Sequence, residues 1–436
     1  MFKKVLIVLM VGCLLLGMAT REEAENAVGE VEKVEESVNA TEIPANNGEL
    51  KVELVNKIES VSDYLMSKDG KVLLYAPEAT GKIRTSEVKM LNIAEDPKTK
   101  VLSFSKIRNS VDIDPEVLGS PWTKLFEDEI IYRDRYPSGD VITKKWDGTI
   151  LSEIPCDYEV WEPVISPTGK YVAVIPSVVD FQYPSLRIYE TETGKKLWEE
   201  FIPEDIYYGG SGAPPFYIGA SFSTDDSLIV CYNGDIYLFN TKSGINYWRK
   251  EIVEDKNVKF SMFWGEMIYI TCSDRGDIIF SYPSELNKKE KVGYVYSITS
   301  EGNIRWKKRR EGVLSCIPKI SNFGNYVLFD SPGEFGLLAN KVNGELIWKF
   351  EGQLLGSRRN ICFFTFEDAC LVANASIPSD ISEKAKDKVC IIDSRSGAFL
   401  TILEGTDLYF SNEKKIVMFK NNGILFIYKI SKENVK

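Results

Sequence analysis

From about residue 50 onward the chain alternates short apolar runs with polar turns, and within the runs side chains alternate with period two. Runs of four to eight residues bounded by Gly, Asn, Asp and Ser read as strands joined by hairpins, and no helical period interrupts them. Two signatures repeat. In the first, a strand meets a polar turn ending in Gly and leaves as a strand carrying Trp. It occurs as Leu186 to Trp198 through Gly194, Ile236 to Trp248 through Gly244, Val295 to Trp306 through Gly302, and Leu337 to Trp348 through Gly344. Weaker copies are Trp146-Asp147-Gly148 and Val389 to Gly397. In the second, a Ser-x-x-Gly turn or its equivalent precedes an apolar strand: Ser67 to Tyr75, Ser166 to Val174, Ser223 to Val230, Ser321 to Phe329 and Ser411 to Phe419.

The spacing has a mechanical basis. A three-residue hairpin loop needs one residue in the left-handed region, which Gly adopts without steric penalty. In four copies Trp stands four residues after Gly. The even offset holds every indole on one face of its strand, where it can bury a large area against a neighbouring sheet. The two signatures supply four strands per repeat, and the Gly-to-Gly period is about 50 residues, the spacing of propeller blades. The expected fold is therefore all-β: a β-propeller of four-stranded antiparallel blades, eight in number, with seven as the alternative count. The copies around residues 76–155 are the faintest. The strand Ile424 to Ile430 is the third of its blade. The missing fourth is expected from Leu50 to Ile58, an exchange that closes the ring and removes an open edge.

The repeats resemble the pyrroloquinoline-quinone-like and WD40-like propeller superfamily, through the Thr-x-Thr/Ser-Gly turns before Trp198 and Trp248 and the Ser-Pro-Thr-Gly-Lys turn at Ser166. The resemblance covers about residues 50–436. Its non-enzymatic branch of exported, outer-membrane assembly lipoproteins looks similar in layout. Quinone-dependent relatives carry an adjacent Cys-Cys pair, which this sequence lacks, so no cofactor is expected. Fold alone does not assign an activity.

The first 48 residues have a different character. Lys3 and Lys4 precede the apolar run Val5 to Ala19, and Gly17-Met18-Ala19 offers small residues for cleavage. Residues 1–19 read as a signal peptide, residues 20–48 as an acidic flexible linker rich in Glu, and residues 49–436 as the propeller domain. The expected location is extracytoplasmic, secreted or periplasmic. Val11-Gly12-Cys13 loosely matches a lipoprotein box. Membrane association is expected only if Cys13 is lipidated or the N-terminal segment is retained.

Composition narrows the chemistry. The 436 residues carry a net charge of −11, which argues against a phosphate-binding surface, so no nucleic-acid partner is expected. The chain has no His, which excludes Ser-His-Asp and Cys-His catalysis and His-ligated metals. Most of the seven Cys after Ala19 lie in apolar runs and read as small buried hydrophobes. No metal site is expected: Asp112, Asp114 and Glu116, or Asp274 and Asp277, lack EF-hand spacing.

These features predict a non-catalytic scaffold that binds a protein partner in the envelope or an extracellular ligand. The alternative is a carboxylate-dependent glycan hydrolase or lyase. Turns inside the two signatures fall at one end of the ring. The second-to-third and blade-to-blade connections fall at the other end, and these are the long ones, including 176–184, 199–217, 282–293 and 376–388. Recognition is expected there, with Tyr207, Tyr208, Phe216 and Tyr217 as candidate ligand-binding residues. The run Lys307-Lys308-Arg309-Arg310 reads as an edge strand protected by charge.

Overall fold

The computed structural model describes Glu32–Lys33 and residues 48–434. Excepted are residues 68, 79–87, 99–100, 112, 114–117, 119–122, 127, 135–138, 157–162, 175–184, 202–218, 233–234, 252–268, 288–289, 312–316, 331–336, 341–343, 350–352, 355–361 and 378–385. Among the described residues the strands pair, antiparallel throughout, into eight sheets. Sheet one comprises Val61–Met66, Val72–Pro77, Val88–Glu95 and Leu102–Val111. Sheet two comprises Lys124–Leu125, Glu129–Arg133, Val141–Lys145 and Ile150–Ile154. Sheet three comprises Val164–Ile165, Tyr171–Val174, Ser185–Glu190 and Lys196–Phe201. Sheet four comprises Gly219–Phe222, Leu228–Tyr232, Asp235–Phe239 and Asn246–Glu251. Sheet five comprises Tyr269–Cys272, Ile278–Asn287, Glu290–Ile298 and Ile304–Glu311. Sheet six comprises Ile317–Ile320, Tyr326–Asp330, Leu337–Asn340 and Leu346–Lys349. Sheet seven comprises Cys362–Thr365, Cys370–Ile377, Lys386–Asp393 and Phe399–Glu404, with Gln353–Leu354 also paired to Cys370–Ile377.

Sheet eight takes Thr406–Ser411, Ile416–Asn421 and Ile424–Asn434 from the C-terminal end and Gly48–Ile58 as its fourth strand. Glu49 stands opposite Glu433, Val52 opposite Ile430 and Ile58 opposite Leu425. This is the exchange that the missing fourth strand required.

The core is distributed between sheets. Eight apolar clusters each draw on two consecutive sheets. Leu74 and Val88 of sheet one pack with Leu125 and Ile130 of sheet two, and Ile131 of sheet two with Val172 and Tyr189 of sheet three. The series continues through sheets three and four, four and five, five and six, six and seven, and seven and eight. The last cluster joins Ile416, Met418 and Ile427 of sheet eight to Val61, Met66 and Leu73 of sheet one. First strands of neighbouring sheets approach one another, for example Gly219–Phe222 with Tyr269–Cys272 and Tyr269–Cys272 with Ile317–Ile320. They therefore lie innermost. The architecture is a β-propeller.

The Trp signature acts at the sheet-to-sheet contact. Each turn Gly lies over the indole of the preceding sheet: Gly244 over Trp198, Gly302 over Trp248, Gly344 over Trp306 and Gly397 over Trp348. A Cβ at Gly344 would stand 3.1 Å from the Trp306 ring, and its φ of +68° already disfavours any L side chain. The turn also receives the indole N–H. Trp198 Nε1 donates to Thr241 O at 2.6 Å, Trp248 Nε1 to Ser300 O at 3.0 Å and Trp348 Nε1 to Ser394 O at 2.9 Å. The Gly thus does two jobs, closing its hairpin and admitting the neighbour's ring.

One expected loop is structured differently. The segment 282–293 largely continues the ladder between Ile278–Asn287 and Glu290–Ile298, with Tyr282 opposite Tyr294 and Glu285 opposite Lys291. Aromatic and β-branched residues on both strands favour extension of the ladder here. Sheet five accordingly has a longer outer strand than sheets four and six.

Candidate functional site

The second-to-third and sheet-to-sheet connections lie at one end of the sheets. Tyr207, Tyr208, Phe216 and Tyr217 lie outside the described residues, as do Asp112, Asp114, Glu116, Lys288 and Lys289. The opposite end is built from the first-to-second and third-to-fourth turns. Its geometry forms an inner belt of polar and aromatic contacts.

The Ser of each Ser-x-x-Gly turn holds the turn from inside. Ser67 Oγ accepts from Val72 N at 2.9 Å, and Ser321 Oγ accepts from Tyr326 N at 2.9 Å. Ser273 Oγ accepts from Asp277 N at 3.1 Å. Two turns carry Asp in the position that Gly fills elsewhere, both at positive φ: Asp226 at 62° and Asp368 at 67°. Asp tolerates this conformation better than most residues. In return its carboxylate reaches the previous sheet. Asp226 accepts from Thr168 Oγ1 and, at 3.3 Å, from Thr168 N, which links sheets three and four. Asp368 accepts from Ser321 Oγ at 2.6 Å, Phe323 N at 3.2 Å and Asn325 N at 3.4 Å, which links sheets six and seven.

The two signatures are also tied to each other within a sheet. Thr191 Oγ1 donates to Gly169 O, and Thr241 Oγ1 to Asp226 O. Thr241 in turn offers its carbonyl to Trp198. Sheets three and four are thereby joined by a circuit running Trp198, Thr241, Asp226, Thr168.

Other belt contacts are looser or aromatic. Thr224 Oγ1 donates to Asp274 O at 3.4 Å, and Asp274 N donates to Asn322 O at 2.8 Å, linking sheets four, five and six. Arg275 lies over the Phe323 ring at 5.7 Å, and Lys415 over Phe366 at 5.3 Å. Phe323 is 38% exposed, so the Arg275–Phe323 pair is a cationic, aromatic point at the inner mouth. Such pairs attract carboxylates and stack against planar groups.

The electrostatics of the belt follow from burial and donors. Burial opposes ionisation of Asp69, yet the Ser67 hydroxyl, the Lys71 N–H and the Lys71 ammonium bring its carboxyl below the usual range. Asp225 behaves alike, with Ser223 and Ser227 as donors. For Asp368 burial wins and its carboxyl is pushed up despite its donors. Asp277 is held by Arg305 at 3.1 Å. Among the described residues no group of three or more Cys, Asp or Glu is disposed to hold a metal. Cys156, Cys370 and Cys390 are buried. Burial pushes Cys390 up to about 12, and Cys272 likewise to about 12, so neither is a thiolate at neutral pH.

Sequence reasoning found the Trp and Gly positions of this end. It gave Asp226 and Asp368 no role. The available signal was an acid standing where the turn pattern calls for Gly, as in Ser223-Thr-Asp-Asp226.

No family model matches the chain. No curated protein matches it by sequence. Solved structures do. The Dos1 propeller aligns over 87% of this chain and 95% of its own, at 12% identity and a TM-score of 0.53. The C-terminal WD40 domain of Sif2 aligns over 89% of this chain and 100% of its own, at 9% identity and a TM-score of 0.53. BamB from Moraxella catarrhalis covers 70% of this chain at 12% identity and a TM-score of 0.41, too low to indicate a branch. The first two likenesses establish the propeller fold and nothing finer.

Proposed function

We propose that the eight sheets form a closed ring serving as a non-catalytic, protein-binding scaffold that is exported and works in the cell envelope or outside the cell. The observation that carries this reading is the asymmetry of the two ends. At the turn end, Asp226, Asp277 and Asp368 are engaged by turn donors or by Arg305. Carboxylates so engaged hold turns and strands in place, which supplies a structural role for them. The longer connections of the sequence belong to the other end, where a rigid scaffold displays binding residues. Export rests on the Lys3–Ala19 pattern.

One observation favours a carboxylate-dependent enzyme. Burial first, then the charges of Glu192 and Asp128, raise the Glu129 carboxyl above its ordinary value, as a general acid requires. Two measurements separate the readings. N-terminal sequencing of the mature protein from fractionated cells should find a start after Ala19 in the extracytoplasmic fraction. Native protein and Glu129→Gln should be equally inert on a glycan panel. Hydrolysis by the native chain that Glu129→Gln abolishes would replace the scaffold with the enzyme.

A further inference from the structure

We propose that the outer edge of sheet five is a strand-addition site for an extended acidic segment, and that the acidic stretch of this same chain is its resident occupant. Outside the eight four-stranded sets, Glu32–Lys33 pairs antiparallel with the outer strand Ile304–Glu311, Glu32 opposite Lys307 and Lys33 opposite Trp306. An outer strand presents unpaired N–H and C=O groups, which any extended segment can complete. Which segment does so is then decided by side chains.

The charges match in register. The edge strand contains Lys307, Lys308, Arg309 and Arg310, and the segment upstream of the propeller contains Glu22, Glu23, Glu25, Glu30, Glu32, Glu35 and Glu36. In the observed antiparallel register Glu32 stands opposite Lys307, an acid across from a base. Opposite charges directly across an antiparallel pair stabilise it, and like charges destabilise it. Lys307 extends over the Tyr294 and Tyr296 rings at 4.7 and 5.6 Å, which fixes its ammonium on the face that carries those rings.

The connection allows pairing within one chain. Residues 34–47 join the added strand to Gly48, and an extended chain advances about 3.3 Å per residue, so they reach on the order of 45 Å. Tethering supplies an effective concentration near the millimolar range, enough to hold a weak strand in place. Any acidic strand from another protein must therefore displace Glu32–Lys33 to bind this edge.

The test uses the full chain and backbone hydrogen exchange over residues 304–311. Reversing the leader's charges, Glu30→Lys with Glu32→Lys, should speed exchange there about tenfold, the competition a tether of this strength provides. Adding Lys307→Glu and Arg309→Glu should restore protection. A labelled peptide spanning residues 26–38 should bind the leader-reversed chain about tenfold more tightly than the native chain, because the edge is vacant. Exchange over 304–311 that is the same in native and leader-reversed chains, while other sheets stay protected, would overturn the proposal. Protection that rises with protein concentration would overturn occupancy within one chain.

Discussion

Sheets three to seven and the junction of sheets eight and one are joined by different means, although both use the same four-stranded unit. Between sheets three and seven an indole lies under a turn Gly at every contact, and Trp198, Trp248 and Trp348 donate to turn carbonyls. Sheet eight has no third-to-fourth hairpin, because its fourth strand, Gly48–Ile58, comes from the other end of the chain. No turn Gly is available, so Trp would have nothing to seat under. Thr401 stands at the Trp position of sheet seven instead. The junction of sheets eight and one relies on the aliphatic cluster of Ile416, Met418 and Ile427 with Val61, Met66 and Leu73. It adds long-range polar contacts: Tyr64 OH to Asp407 O, Lys420 Nζ to Ser62 O at 2.7 Å, and Lys429 to Glu95 at 2.8 Å. A ring assembled from hairpins docks each unit on the last. At the seam the backbone ladder itself must carry the connection.

The largest effect should follow from opening the seam. A chain beginning at residue 59 loses the whole ladder opposite Ile424–Asn434. It should lose cooperative unfolding altogether, since one missing strand removes a large share of a total stability of about 5–15 kcal/mol. Calorimetry checks this, and a peptide of residues 48–58 added in trans should restore a transition. A truncated chain that melts as the native one does would mean that the cores between sheets close the ring unaided.

Next come the docked indoles. Trp306 is the most deeply buried of them, and Trp306→Ala should cost about 3–5 kcal/mol in denaturant unfolding. Sheet two supplies an internal control. Ser152 occupies the Trp position there; its Oγ donates to Thr191 O, and Gly194 stands over its Cβ. The hydrogen bond survives without the ring, so Ser152→Ala should cost only about 1 kcal/mol. Equal costs at the two positions would show that the carbonyl contact, rather than the buried indole, holds neighbouring sheets together.

A smaller effect with a defined pH dependence lies on the outer strand of sheet three. Lys196, then Ser185 and Arg187, hold the Glu199 carboxyl down to about 2 from 4.5. A depressed carboxyl stabilises the fold above its unfolded value and loses that contribution as pH falls toward the folded one. Glu199→Gln should therefore cost about 1 kcal/mol at neutral pH, after allowance for solvent screening of a surface pair. The difference from native should shrink between pH 4.5 and about 2. A gap that stays constant over that range would assign the effect to packing.

These contrasts also mark what sequence could disclose. The propeller was legible because Gly and Trp recur at fixed spacing for a steric reason, and the pairing of Gly48–Ile58 with the C-terminal strand was legible because the final unit lacked one strand. The extension of sheet five was less so. Residues 282–293 contain Pro283, Gly293 and several charges, which read as a loop until the cross-strand register pairs Pro283 with Gly293. The belt carboxylates were hidden for a different reason. Asp226 and Asp368 act across sheets, on residues 58 and 47 positions away, and no local pattern encodes such a partner.

The smallest effect on stability should come from the end that sequence assigns to recognition. Tyr207, Tyr208, Phe216 and Tyr217 stand in a Gly- and Pro-rich stretch of the sequence. If the ring is scaffold and this connection is reader, changing all four to Ala should move unfolding by less than about 0.5 kcal/mol. A partner captured by the native chain should lose affinity by at least about 2 kcal/mol, the scale of an aromatic hot spot. Trp306→Ala should show the reverse: large loss of stability, with affinity unchanged wherever the ring remains folded. Measuring both variants by both assays breaks the comparison if the columns do not cross. A quadruple variant that unfolds early would place those aromatics in a core, and the reading end would have to be sought among the other connections.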